Sequence, residues 1–219
     1  MIKNVIFDMD GLLFNTELIY FDCYRQTARE MGLDFPFELF AACVGISREE
    51  AAKFMKQHFG QHTDTDAIDA RTFALVDEYI ERGGDIPFQP GAREAVEFFA
   101  RRGLKLGLAS SNLRKWAEFY LTKNGIIQYF SAITTSEEVV RLKPDPEVYL
   151  KTAAKLGADE KECLVFEDSP AGSTAAIRAG MRTCMVPQIK QPDSFIRDHA
   201  FKIYTSLENI FADIDELLA

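Results

Sequence analysis

Val5-Ile6-Phe7-Asp8-Met9-Asp10-Gly11 is an apolar run that ends in two carboxylates two positions apart. A short apolar run of this kind reads as a buried strand. Strands usually close on neutral turn residues. Acids at the mouth of a buried strand are costly unless a cation or a reaction needs them. Side chains i and i+2 point to one side of a strand, so Asp8 and Asp10 are expected to address one ligand together. Gly11 has no Cβ and lets the backbone come close to that ligand. Two plainer readings compete. One is a solvated Asp-x-Asp-Gly turn. The other is a calcium loop, whose remaining oxygen ligands are missing because Leu13 and Phe14 follow.

Outward from this stretch, short apolar runs recur at 104–109, 132–134, 164–166 and 183–186, separated by helical patterns at 93–102, 115–123, 148–156 and 171–179. Strands alternating with helices imply a parallel sheet covered on both faces. The punctuation agrees. Gly103, Gly157 and Gly180 each follow a helical pattern, where a left-handed cap is wanted. Pro146 and Pro170 each follow a capping residue, Asp145 and Ser169, and suit a first helical turn. The interval from Asn15 to Ile86 breaks the alternation. Its segments 18–31, 36–43, 48–58 and 67–81 carry apolar residues at three- and four-residue spacing and read as four helices. Gly83-Gly84-Asp85 and Gln89-Pro90-Gly91 mark the return to the strand-rich part. The expected division is a core at 1–14 and 87–219 with a helical domain at 15–86 inserted after the first strand.

Composition narrows the function classes. The chain has 219 residues, 47% of them hydrophobic and 27% charged, which is the balance of a globular protein with a large core. The formal charge of -9, with no local stripe of Lys and Arg, argues against a nucleic-acid partner. No apolar run approaches the ~20 residues of a membrane helix, and no basic leader precedes an apolar signal segment, so no membrane partner and a cytoplasmic location are expected. Cys23, Cys43, Cys163 and Cys184 show no Cys-x-x-Cys spacing and are expected to be reduced, mostly buried thiols. His58 and His62 lie four apart and read as solvated positions on a helix face, rather than as a metal pair.

In open parallel sheets, ligands bind beyond the carboxyl ends of the strands. The residues after each apolar run therefore matter most. They are Asp8 and Asp10; Ser110, Ser111 and Asn112; Lys143 within Arg141-Leu142-Lys143-Pro144-Asp145-Pro146; and Glu167 with Asp168. Several carboxylates around an oxygen-rich rim suit a hard cation such as Mg²⁺, which accepts phosphate oxygens. A carboxylate can also attack phosphorus and form an aspartyl-phosphate. A cation, a lysine and donor groups would neutralise the charge on a transferring phosphoryl group. Each piece has a plainer reading. Ser110 or Asn112 could cap a helix, Lys143 could be a surface lysine, and Glu167-Asp168 could favour the helix beginning near Pro170. Four such strand ends in order are a much rarer coincidence than any one.

These residues resemble the haloacid dehalogenase superfamily. The matches are Asp8-Met9-Asp10-Gly11, Leu108-Ala109-Ser110-Ser111-Asn112, Lys143-Pro144-Asp145-Pro146 and Phe166-Glu167-Asp168-Ser169-Pro170-Ala171-Gly172, in the family's order across the core. The helical insertion lies where the family carries its C1-type cap, and the subgroup resembled is the β-phosphoglucomutase-like phosphatases. The resemblance implies an α/β, Rossmann-like parallel-sheet core with an inserted four-helix cap domain. It implies Asp8 as nucleophile and Asp10 as general acid, then base. It implies Ser110, Ser111, Asn112 and Lys143 as phosphate-binding residues. It implies Mg²⁺ held by Asp8, the Asp10 carbonyl, Asp168 and, directly or through another group, Glu167.

Val44-Gly45-Ile46-Ser47-Arg48 resembles the subgroup's specificity loop, which makes Arg48 a candidate for the far end of the substrate; the alternative is a solvated residue at the start of a helix capped by Ser47, with Glu50 at the capping-box position. Tyr20 stands near where the mutases carry a histidine, and Val44 replaces a lysine. Both departures point away from a mutase and leave a phosphatase untouched. Asn15 replaces a common Asp. The expectation is thus a Mg²⁺-dependent phosphatase of a small phosphorylated metabolite, a sugar phosphate first, with a monomer as default. β-Phosphoglucomutase and a non-catalytic binding module are the alternatives.

Overall fold

The computed structural model describes residues 1–46 and 48–219. Six strands, β1 (Asn4–Phe7), β2 (Lys105–Ala109), β3 (Phe130–Thr134), β4 (Cys163–Glu167), β5 (Arg182–Met185) and β6 (Lys202–Ile203), form one sheet in the order β3-β2-β1-β4-β5-β6. All five pairings are parallel. Parallel strands need crossovers, and helices supply them. The chain forms ten helices among the described residues: α1 (Thr16–Glu30), α2 (Phe37–Cys43), α3 (Arg48–Phe59), α4 (Thr65–Glu81), α5 (Ala92–Arg101), α6 (Arg114–Lys123), α7 (Glu147–Leu156), α8 (Pro170–Arg178), α9 (Ser194–His199) and α10 (Ile214–Leu218).

The chain divides into two compact units, Met1–Asn15 with Ile86–Ala219, and Thr16–Asp85. The first holds the whole sheet. Its centre is β1, every residue of which is buried, stacked between β2 and β4. The Phe7 ring stacks on Phe166 at 5.6 Å and meets Phe99 at 6.2 Å. Successive strands run outward from β1 through β2 to β3, and the chain then returns to the other side of β1 for β4. That reversal leaves a crevice beyond the carboxyl ends of β1 and β4, the place where open α/β sheets bind ligands.

The second unit is helical. Its α1 and α4 are tied by Thr72 donating to Thr27 (3.0 Å) and by Tyr24 donating to Asp69 (3.0 Å). The side chain of Asp64 caps α4 by accepting from the Ala67 amide at 2.9 Å. The capping role expected of Ser47 lies outside the described residues.

Several local expectations shift. The strand β6 and the helices α9 and α10 follow residue 186, where no periodic pattern is legible; β6 is only two residues long and α9 only six. His62 lies beyond the end of α3 at Phe59, so it does not share a helix face with His58. The cap of α6 is Leu113, without a side-chain hydrogen bond, so neither Ser110 nor Asn112 serves that role. All four cysteines are free. Among the described residues no helix is long and apolar enough to cross a membrane.

Candidate active site

Strand β1 stops at Phe7, so strand alternation is not what brings Asp8 and Asp10 together. The Asp8 amide instead extends the ladder by donating to the Phe166 carbonyl at 3.0 Å, which holds Asp8 at the β1–β4 crevice. The chain then turns. Gly11 adopts φ +83°, and the Leu13 and Phe14 amides both return to the Met9 carbonyl. A Cβ at Gly11 would stand 2.3 Å from Asp168 Oδ2. The glycine therefore serves the turn and also makes room for the Asp168 carboxylate.

Lys143 reaches into the crevice and is buried there. Its ammonium donates to Asp8 Oδ1 (2.5 Å), Glu167 Oε1 (2.7 Å) and the Ala109 carbonyl (3.0 Å). An ammonium has three N–H groups, so this set uses all of them. Glu167 is equally occupied. Besides Lys143, Oε1 accepts from the Tyr149 hydroxyl at 3.0 Å, and Oε2 accepts from the Ser169 amide and hydroxyl at 2.8 and 2.9 Å. Ser169 caps α8 with the same hydroxyl, which accepts from the Gly172 amide at 3.1 Å, and Pro170 follows at the first turn. A Cβ at Gly172 would meet Glu167 Oε1 at 1.6 Å, so only glycine leaves space for that carboxylate.

Asp10 sits on the loop side of the cluster. The Asn112 side-chain amide lies 3.3 Å and the Ser110 hydroxyl 3.4 Å from its Oδ2. Ser110 is buried and accepts from the Asn112 amide at 3.0 Å. Ser111, between them, is exposed. The structure thus brings Asp8, Asp10, Ser110, Asn112, Lys143, Glu167 and Asp168 to one rim of the sheet unit, with Ser111 at its outside. Arg48 belongs to the helical unit, where it donates to Asp69 Oδ2 (3.0 Å) and Asp66 Oδ1 (3.1 Å) and stays largely exposed.

The electrostatics are unbalanced. Among the described residues, the four acids of this rim, Asp8, Asp10, Glu167 and Asp168, stand beside one buried ammonium, that of Lys143, which pairs with Asp8 and Glu167. Burial, with Glu167 and Asp10 nearby, pushes the Asp8 carboxyl upward against the pull of Lys143. Burial also works against the Lys143 charge, but Asp8 and Glu167 overcome it and hold the amine well above its usual range. Glu167 is held below its usual range, because Lys143 and Ser169 outweigh its burial. A site with this surplus of negative charge suits a cation. Asp8, Glu167 and Asp168 each offer an oxygen, all within 4.8 Å of one another. Such a hard, all-oxygen donor set fits a divalent ion of the Mg²⁺ type. Glu167 already accepts four hydrogen bonds and has to yield one to join the set.

Tyr149 and Ser169 were not legible as site residues. Tyr149 reads as one more core position of a helix, and the signal that singles it out is its hydroxyl, which must find a partner in an apolar setting. Ser169 reads only as a cap, the role it also fills.

The family model of haloacid dehalogenase-like hydrolases matches residues 5–186. A phosphorylated carbohydrates phosphatase of Thermotoga maritima is 31% identical over 81% of this chain and 81% of its own length. Hexitol phosphatase B of Escherichia coli is 32% identical over 83% of this chain and 82% of its own. The crystal structure of a "putative beta-phosphoglucomutase" from Thermotoga maritima superposes with a TM-score of 0.79 at 28% identity, covering 99% of this chain and 100% of the other.

Proposed function

Because the chain belongs to the haloacid dehalogenase-like hydrolases, we propose that it is a Mg²⁺-dependent phosphatase that cleaves small phosphorylated metabolites, sugar phosphates first, through an aspartyl-phosphate on Asp8. The observation that carries this reading is the crevice itself, where Lys143 bridges Asp8 and Glu167 beside Asp168, and Asp10 waits at the loop. The names of the relatives, a carbohydrate-phosphate and a hexitol phosphatase, support the substrate class.

In the proposed reaction a carboxylate oxygen of Asp8 attacks phosphorus while the bond from phosphorus to the leaving oxygen breaks. Asp10, protonated, gives its proton to that oxygen and releases the alcohol. Asp10, now a base, takes a proton from water as it attacks the acyl phosphate, which frees inorganic phosphate and restores Asp8. Ser110 and Lys143 steady the transferring group, with Asn112 and Ser111 beside them. Lys143 supplies fixed positive charge where the phosphoryl oxygens gather negative charge. Asp8, Asp168 and the Asp10 carbonyl, joined by Glu167, would hold the cation, which when bound neutralises phosphoryl charge. The helical unit, proposed as a cap over residues 15–86, would select the leaving group, with Arg48 as the candidate contact for its far end.

The structural neighbour described as a "putative beta-phosphoglucomutase" favours a second reading, transfer of the phosphoryl group to another sugar hydroxyl instead of to water. Tyr20 and Val44, where the mutases resembled carry histidine and lysine, weigh against it. The test is phosphate release from a panel of sugar phosphates, nucleotides and short acid phosphates, with Mg²⁺ and with EDTA, including β-glucose 1-phosphate with glucose 6-phosphate followed alongside. Phosphate release that EDTA abolishes is expected. Glucose 6-phosphate without phosphate release would move the chain to the mutases, and no turnover of any substrate would refute an enzymatic role on this panel.

A further inference from the structure

Lys143 has no freedom of its own in the crevice, since its three N–H groups are committed to Asp8, Glu167 and Ala109. Where the ammonium stands is therefore decided by what holds its acceptors. Ala109 is fixed in β2, and Asp8 is tied to the β4 backbone. Glu167 is a longer side chain, and one of its oxygens is anchored by Ser169. The oxygen that meets Lys143 has one other partner, the Tyr149 hydroxyl, at 3.0 Å.

Tyr149 is completely buried on the inner face of α7, beside Val148, Thr152, Ala153 and Leu156. A phenylalanine would fill that space without a polar atom to satisfy. The tyrosine hydroxyl carries a desolvation cost that its hydrogen bond to a charged oxygen offsets. The ring does a second thing: its centroid lies 5.0 Å from Lys143 Nζ, within the range where an aromatic face attracts an ammonium. Tyr149 thus contacts both members of the ion pair, the anion through its hydroxyl and the cation through its ring.

We propose that Tyr149 is a positioning residue for the reaction, clamping Glu167 Oε1 and covering Lys143 so that the ammonium is held against Asp8. This rests on the phosphatase reading, in which Lys143 stabilises the phosphoryl group carried to Asp8. Without the hydroxyl, Glu167 Oε1 keeps Lys143 as its single donor, and that oxygen can shift about the end of the carboxylate that Ser169 holds, taking the ammonium with it. A displacement of roughly 1 Å in a charge that must meet the transition state is enough to slow a reaction by an order of magnitude or more.

The test compares wild type, Tyr149→Phe and Val148→Ala on the best substrate of the panel, at a temperature where circular dichroism shows each protein folded. Val148 is a buried neighbour on the same helix that makes no contact with Glu167 in the described hydrogen bonds, and it serves as the packing control. For Tyr149→Phe, kcat is expected to fall about tenfold with KM within about twofold, the pattern of an interaction made in the transition state. Affinity for orthovanadate, a mimic of five-coordinate phosphorus, should fall by a similar factor, while affinity for inorganic phosphate stays within about twofold. Val148→Ala should lower the melting temperature and leave kcat and vanadate affinity near wild type. Tyr149→Phe with kcat and vanadate affinity within about twofold of wild type overturns the inference alone. So does a Val148→Ala protein that loses kcat as Tyr149→Phe does, because the effect is then one of packing. A wild type that releases no phosphate from any substrate overturns the phosphatase reading, and this inference with it.

Discussion

Asp8 and Asp10 stand two residues apart and live in different surroundings. Asp8 is buried and bonded to Lys143, whereas Asp10 is half-buried and faces the Ser110 and Asn112 side chains. The proposed roles follow that difference. A nucleophile must stay ionised, which Lys143 favours while burial and the neighbouring Glu167 and Asp10 oppose it, and a proton carrier must reach both water and the leaving oxygen. Asp8→Asn should lower phosphate release by a factor of about a thousand or more while the circular dichroism spectrum and melting temperature hold near wild type. Near-normal turnover would remove Asp8 as nucleophile. Asp10→Asn should still bind inorganic phosphate, measured by calorimetry, but lose about two to four orders of magnitude in kcat, the usual scale of general acid–base catalysis. An unchanged kcat would end the acid–base assignment.

Elements matter through what they hold still. Strands β1 and β4 present Phe7 and Phe166 to each other as a stacked pair backed by Phe99, one residue before Asp8 and Glu167 along the chain. Phe166→Ala leaves a cavity in a fully buried layer and is expected to cost about 3–5 kcal/mol, read as a lower urea midpoint at unchanged slope. A loss under about 1 kcal/mol would mean that the layer collapses into the gap.

Farther along the sheet edge, Glu138 joins two helices at the end of β3. Its carboxylate accepts from Arg114 of α6 at 2.6 Å and from Lys155 of α7 at 2.5 Å. Burial raises this carboxyl, but Lys155, Arg114 and the Thr135 amide outweigh it and hold the group at about 2, against an ordinary 4.5. A depressed carboxyl contributes stability that is complete above its unfolded value and fades as pH falls toward its folded one. Between pH 4.5 and 2 the wild type should therefore lose stability more steeply than Glu138→Gln, when melting temperature is followed against pH. Parallel curves would show that Glu138 contributes nothing through its charge.

At the scale of the whole molecule the surplus of carboxylates at the β1–β4 crevice is a cost of folding that the proposed cation would relieve. Mg²⁺ at about one hundred times its dissociation constant should stabilise the protein by about 2.7 kcal/mol, seen as a higher melting temperature than in EDTA. Asp168→Asn removes one of the three clustered acids and should shrink that shift, with no substrate present. An equal shift in both proteins would place the cation elsewhere. This reading is independent of turnover, so it separates the metal site from the chemistry.

The amino-acid sequence by itself determined the alternation of strand and helix, the helical interval after β1, and the strand ends that carry Asp8, Asp10, Ser110, Glu167 and Asp168, with Lys143 in the connection that follows β3. Those are local properties. Hydrophobic period and glycine or proline punctuation are written in adjacent residues. Elements near the C-terminus were not legible, because β6 and α9 are too short to show a period and take shape from what they pack against. Only the tertiary structure decided how the site residues meet. It joined Lys143 to Asp8 and Glu167, residues 135 and 24 positions away, set Tyr149 behind Glu167, and used Gly11 and Gly172 as space for two carboxylates. The physical reason is that a buried ammonium and a buried carboxylate take whichever partners the fold brings within hydrogen-bond reach. That depends on strand order and helix docking, which no short window of sequence contains.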